Sequence, residues 1–235
     1  AMILSDEGSE SRHVSFAAWA EQFEVFTTKS DGKMSAYRFP IGTQQVCEKL
    51  ADRLAGDVRL GHRVEPGLTH LQQEFDAIVI TALPLVLEQT SMRPSKTSKF
   101  CFEFEEKVWE DRVWLTDTCA QQIWDGGRDG AAVLTCYING AAASQTPDDV
   151  LGCLKSVIPG LPPVPENVWV TDWVSSSVSG GGFPMTPVEE PGSLKIRSIT
   201  DRLYYAGDAC AENIGCIEGA LESAERVTEE ILNGN

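Results

Sequence analysis

The stretch Arg202-Leu203-Tyr204-Tyr205-Ala206-Gly207-Asp208, continued through Gly215-Cys216-Ile217-Glu218-Gly219-Ala220 to Leu232, decides how the chain reads. Its apolar opening, ended by Gly207, predicts a short buried strand. Ile217, Ala220, Leu221, Ala224, Val227 and Ile231 recur at helical spacing, so a closing helix with one inward face follows. Asp208 stands directly behind the strand, and Gly215 opens the helix across the loop. A helix start presents unpaired N–H groups and the positive end of a dipole, which suits an anion or an electron-rich ring. An acid at the C-terminal end of a strand suits a run of sugar-like hydroxyls. The same pattern also serves a strand-loop-helix that only closes a core.

Composition narrows the partners. A formal net charge of −16 argues against nucleic acid or an anionic membrane surface, since both demand positive charge. No apolar run reaches the ~18 residues of a membrane span. The 235 residues, 42 % of them apolar, suffice for one large or two small domains with a real core. Seven cysteines without CxxC spacing read as reduced thiols. With a polar opening that shows no secretory leader, they lead to the expectation of a cytoplasmic protein. His13, His62 and His70 show no ligand spacing with the cysteines or each other, so no metal is expected.

Along the chain, residues 1–12 read as a frayed polar start. Phe16, Trp19, Phe23 and Phe26 form a helical apolar stripe within 14–28. A second helix should start at Thr43 as cap, bury Val46, Cys47, Leu50, Ala51 and Leu54, and stop at Gly56. Strands are expected over 58–64 and, as a continuous buried run, over 76–82. Lys99 to Phe104 alternates, with Phe100, Phe102 and Phe104 on one face and Lys99, Cys101 and Glu103 on the other. Trp109, 113–115 and 132–138 continue an antiparallel region with turns at 125–127 and 129–130. Thr146-Pro147-Asp148-Asp149 is a strong helix start, with Val150, Leu151, Leu154, Val157 and Ile158 facing inward before Pro159-Gly160. A strand over 168–174 carries Trp169 and Trp173 on one face. The stretch 175–187 is rich in Gly and Ser, a composition that also suits a linker.

The wording of the organising stretch, RLYYAGDACAENIGCIEGALESAERVTEEIL, resembles the C-terminal flavin-contacting segment of the flavin-containing amine oxidase family. That family includes monoamine, polyamine and L-amino-acid oxidases and, more distantly, renalase-like and protoporphyrinogen oxidases. The resemblance covers roughly residues 36–232. It implies FAD as cofactor, with Asp208 behind Gly207 on its ribityl or phosphate end. Gly215, Cys216 and Ile217 would lie at its N1–C2=O edge, and Val64 on its adenine side. It also implies that Lys99, in register with Trp109, holds a water against flavin N5. Trp173 followed by Ser179-Gly180-Gly181 puts Phe183 at one of the two aromatic positions flanking the flavin, and Cys216 at the other. That cage is half aromatic and has no phenol hydroxyl, which departs from a monoamine-oxidase-like specificity. It makes the 175–187 loop an ordered active-site loop.

One motif of such enzymes is missing: the opening strand with G-x-G-x-x-G, whose glycines let backbone approach a pyrophosphate. The expected fold is therefore α/β (α+β), lacking the N-terminal dinucleotide-binding βαβ unit. It divides into a polar and helical lead-in (1–35), parts of the FAD-binding domain (36–90 and 198–235) and an antiparallel substrate domain (91–197). A second polypeptide carrying the βαβ unit, and a small amine or amino-acid substrate, are the expected partners. Two other readings stay open: a flavin oxidase or desaturase of a non-amine, and an inactive remnant acting as a binding or scaffold subunit.

Overall fold

The computed structural model describes residues 16, 20, 39, 41–54, 58–62, 64, 71–87, 92–176, 178–186, 202–211 and 214–233. Trp19, Phe23, Phe26 and Gly56, and most of residues 1–38, lie outside the described residues. Phe16 is helical and exposed, so it is not core. The fold mixes helix and sheet, with antiparallel pairing dominant.

Its centre is a five-stranded antiparallel sheet in the order β4-β5-β6-β3-β7, formed by β3 (Thr97–Phe104), β4 (Trp114–Leu115), β5 (Gln122–Asp125), β6 (Ala132–Asn139) and β7 (Asn167–Asp172). The alternation read from sequence sets the faces: Phe100, Phe102 and Phe104 are buried, whereas Lys99 is exposed. Phe100 and Phe102 join Ile123, Leu134, Cys136 and Ile138 in one apolar layer. Helix α4 (Pro147–Val157) covers that layer with Val150, Leu151 and Leu154. Its start is a capping box: the Thr146 side chain accepts from the Asp149 amide, and the Asp149 carboxylate accepts from the Thr146 amide. Trp109 belongs to this same core, edge-on to Phe104 with ring centroids 5.8 Å apart.

The expectation of seven reduced thiols is corrected here. Cys119 and Cys153 form a disulfide, with Cα atoms 6.0 Å apart, tying the β4–β5 connection to α4. Thirty-four residues separate them in sequence, and only the packing of α4 onto the sheet brings them together. Cys47, Cys101, Cys136, Cys210 and Cys216 remain thiols.

A second, parallel pairing joins β1 (Ile78–Ile80) to β9 (Leu203–Tyr205), in the register Ile78↔Leu203 to Ile80↔Tyr205. β1 is shorter than the expected 76–82 and is not a fully buried strand. Only Ile80 is buried and Val79 is exposed. The organising stretch folds as strand, loop and helix, with α5 spanning Ile217–Asn233. Its buried residues are Gly219, Ser223 and Val227, spaced by four, whereas Ile217 and Leu221 are exposed. Small residues at 219 and 223 let α5 approach the strand end, and a hydrophobicity reading overlooks them.

Two further expectations fail. Residues 58–62 and 64 form no strand: the chain turns at Leu60-Gly61, with Gly61 at φ +69°, and Val64 is exposed. Helix α1 (Gln44–Arg53) exists, but none of its residues is buried. Val46, Leu50 and Leu54 keep their helical spacing yet face no packed partner among the described residues, and Thr43 makes no side-chain cap.

The Gly-rich loop is ordered where described. It returns to pair β8 (Pro184–Met185) with β2 (Arg93–Pro94). A side chain at Gly182 would meet Thr97 Cβ at 2.8 Å and Ser95 Oγ at 3.0 Å. One at Gly181 would meet the Ser95 carbonyl at 2.8 Å. Such an approach admits glycine alone. We expect Gly182→Ala to cost about 1–3 kcal/mol, as overpacking does, lowering the thermal midpoint by several degrees. Gly152→Ala, in the interior of α4 with open space around it, should instead stabilise by about 0.5–1 kcal/mol. Calorimetry of the two variants checks the contrast; equal shifts would show that the loop tolerates a side chain.

Candidate functional site

The first component of the site is the end of β9. The Ala206 amide still donates to the Ile80 carbonyl, and the chain then breaks away at Gly207, whose φ of +128° favours glycine. The freed Gly207 amide donates to Ser223 Oγ at 2.8 Å, and that hydroxyl donates to the Ala220 carbonyl. Ser223, itself buried, thus locks the strand end to α5. Asp208 opens a 3₁₀ turn over Asp208–Cys210. Burial pushes its carboxyl above the usual carboxylate range, opposed by the backbone N–H groups of Asp208 and Ala209. Among the described residues no cation pairs with it. Cys210 is buried, and its thiol is pushed up to about 11 by that burial, so it is protonated and a poor nucleophile at neutral pH.

The second component is the Phe183 loop, seated by a buried polar chain. The Phe183 amide donates to Ser95 Oγ at 3.0 Å, while its carbonyl accepts from the Ser95 amide at 2.8 Å. Ser95 Oγ lies 3.2 Å from Thr97 Oγ1, which donates to Asn139 Oδ1 at 3.0 Å. Asn139 is held in turn through its backbone by the Gln121 side chain. Ser95, Thr97 and Asn139 are all buried, so the chain is satisfied internally. The Phe183 ring rests on Gly215, where a Cβ would lie 3.4 Å from Cδ2; Gly215 has φ +78°. Cys216 follows directly and leads into α5.

The third component is the open face of the large sheet. Thr97, Lys99, Cys101 and Glu103 alternate away from the buried phenylalanines. The ladders bring Tyr137 and Thr135 of β6, Trp124 of β5, and Thr171 and Trp169 of β7 to the same side. Lys99 Nζ lies 5.4 Å from the Tyr137 ring centroid and 6.0 Å from that of Trp124. The Trp173 amide donates to the Thr97 carbonyl at 3.3 Å, placing that residue at the head of β3.

Of the residues named from sequence, Phe183, Gly215 and Cys216 come together directly. Lys99 shares strand β3 with Thr97, on which the Phe183 loop sits, and Trp173, just past β7, bonds the Thr97 carbonyl. Gly207 and Asp208 join the same assembly through Ser223 and α5. Ile217 begins α5 but is exposed, and Val64 belongs to no strand, so the expected adenine-side strand is not formed. Sequence reasoning missed Ser95, Thr97, Asn139 and Ser223. Only Asn139, closing the apolar run from Ala132, carried a local signal; Ser95, Thr97 and Ser223 sit among other polar residues. It also missed Trp124 and Tyr137, which only the ladder register sets beside Lys99. Among the described residues there is no cluster of three metal-ligating side chains and no helix long and apolar enough to cross a membrane.

The arrangement fits a flavin. A half-buried carboxyl that no cation pairs with among the described residues suits hydroxyl donors, and Gly207 and Gly215 present backbone with no side chain of their own. A family model for flavin containing amine oxidoreductase matches residues 11–232. Cyclohexylamine oxidase from Brevibacterium oxydans IH-35A shares the fold with a TM-score of 0.74 at 17 % identity, over 99 % of this chain and 62 % of that one. Putrescine oxidase bound to putrescine shares it with a TM-score of 0.65 at 14 % identity, over 82 % of this chain and 53 % of that one. The chain therefore spans between about half and three-fifths of these enzymes' length. No curated protein matches it. The family's cofactor is FAD. A match across nearly the whole chain, on a fold shared with two amine oxidases, makes this chain a member of the flavin-containing amine oxidoreductase family.

Proposed function

We propose that these residues form the cofactor- and substrate-facing part of an FAD-dependent oxidoreductase acting on a C–N bond of a small amine or amino acid, as an amine or L-amino-acid oxidase does. The observation that carries this reading is Asp208, a desolvated carboxyl that no cation pairs with among the described residues, at the end of the strand that leads into the Gly215 helix start on which Phe183 rests. Burying a charge that folding does not use is costly unless a ligand satisfies it. Bound FAD supplies the acceptor for the hydride on the carbon beside nitrogen. Asp208 accepts hydrogen bonds from the cofactor's hydroxyls. Gly207, Gly215, Cys216 and the first turn of α5 offer backbone to its ring edge. Phe183 and Trp173 wall the substrate, Cys216 fills space beside it, and Lys99 holds a water on the open face of the sheet.

In this reading residues 36–90 and 198–235 form the cofactor side and 91–197 the substrate side. These 235 residues contain no G-x-G-x-x-G, so in this reading the pyrophosphate-binding βαβ unit lies outside them, with a second polypeptide as one source. Among the described residues the apolar face of α1 is uncovered and β1 joins one ladder, which supports a further neighbour there.

Two substitutions test the assignment. Asp208→Asn should lower FAD affinity about tenfold or more, since a hydrogen bond to a charged acceptor contributes roughly 1.5–3 kcal/mol. It should also raise the thermal midpoint of the flavin-free protein at neutral pH. The folded carboxyl sits above its unfolded value, so its charged form opposes folding once pH rises through that window. Wild-type FAD affinity should correspondingly fall as pH drops through the raised value, earlier than for an exposed acid. Unchanged affinity in the variant would leave Asp208 a turn residue. Lys99→Met should slow amine-driven bleaching of the flavin band by about tenfold or more while flavin content holds, because the apolar stem is kept and the charge lost. Stopped-flow rates within about twofold of wild type, the usual range for surface substitutions, would remove Lys99 from the chemistry.

A further inference from the structure

Lys99 is held differently from Lys107 and Arg226. Lys107 pairs with Asp111 and Asp125, and Arg226 with Glu230. Lys99 pairs with no carboxylate among the described residues; its ammonium instead faces two rings, Tyr137 at 5.4 Å and Trp124 at 6.0 Å. The placement follows from register. Lys99 lies directly across from Tyr137, and Trp124 is the neighbour of Thr135 one ladder further out. All three side chains leave the same face of the sheet. A ring's negative π-face attracts a cation through its quadrupole without neutralising it. A carboxylate there would hold the ammonium as well but would cancel its charge and occupy its N–H donors.

The geometry points to Trp124 and Tyr137 as positioning residues that fix the Lys99 ammonium over the open face while leaving its charge and donors available to the reaction. This rests on the reading of Lys99 as the water-holding group beside the flavin. The rings act through Lys99 and are not themselves in the chemistry. The π-faces are what count, so phenylalanine at either position keeps the function and leucine, of comparable apolar bulk, loses it. The phenol hydroxyl of Tyr137 and the indole N–H of Trp124 are dispensable for this role.

The first test needs no flavin. In the full chain carrying ¹³C-labelled lysine, the Lys99 ε-methylene signal, identified by its loss in Lys99→Met, should be shifted upfield by ring currents relative to the solvated lysines. Trp124→Leu and Tyr137→Leu should each move it back, and Trp124→Phe and Tyr137→Phe should largely keep it. A Lys99 signal among the solvated lysines in the wild type, or one unmoved in the double leucine variant, overturns the proposal. The second test uses the flavin-loaded protein. Each leucine variant should slow amine-driven flavin reduction about two- to fivefold and the pair about tenfold, whereas the phenylalanine variants stay within about twofold. In a Lys99→Met background the leucine pair should add nothing, as expected for residues acting through one group. A full additional loss in that background would mean the rings touch substrate directly, and would overturn the positioning role while leaving Lys99 in place. A normal rate for Lys99→Met alone would overturn both the Lys99 reading and this one.

Discussion

The site depends on the close approach of backbone at Gly181-Gly182 to the segment Pro94 to Thr97. No side chain fits between them, so the loop lies directly on the head of β3. Ser95 then bonds the Phe183 backbone and is itself backed by Thr97 and Asn139. A buried polar chain of this kind stabilises only when every member is satisfied, and it then specifies one arrangement. Through it, the position of Phe183 is set by the register of the large sheet. Because Phe183 rests on Gly215, the start of α5 is set by the same register. The large sheet and the β9–α5 connection are thereby coupled through one aromatic ring and two missing side chains.

The two halves differ in how fully they are built from the described residues. The large sheet has a complete core, with α4 capped, bridged by Cys119–Cys153, and packed against the phenylalanine layer. The parallel pair β1–β9 is held on one side by α5, through Ser223 and Val227. Its Val79 and the apolar side chains of α1 remain exposed. A parallel strand pair is ordinarily covered on both faces. Here the second face packs Ile80 and Tyr205 against Val86, Leu87 and Met92.

Much of this was legible in the sequence where local rules suffice. The alternation of Phe100, Phe102 and Phe104 defined the buried face of β3, and Thr146-Pro147-Asp148-Asp149 announced α4. The Gly207-Asp208 and Gly215-Cys216 pairs marked the strand end and helix start. What escaped was decided by tertiary packing. Residues 58–62 and 64 have strand-like alternation but no ladder to join among the described residues, none of which covers the apolar face of α1. On α5 the buried stripe ran through Gly219 and Ser223, because close approach rewards small residues over large ones. The disulfide joins residues far apart in the chain, and the rings around Lys99 are neighbours only across two ladders.

The central claim is that flavin is held at the junction of β9, α5 and the Phe183 loop. Hydrogen exchange of the backbone amides, with and without saturating FAD, tests it most directly. Protection should rise at Gly207–Ala211, at Gly215–Ala220 and at the Phe183 loop, while α4 and the sheet core, already closed, should change little. Protection confined to other segments, or none under saturating FAD, would contradict this account.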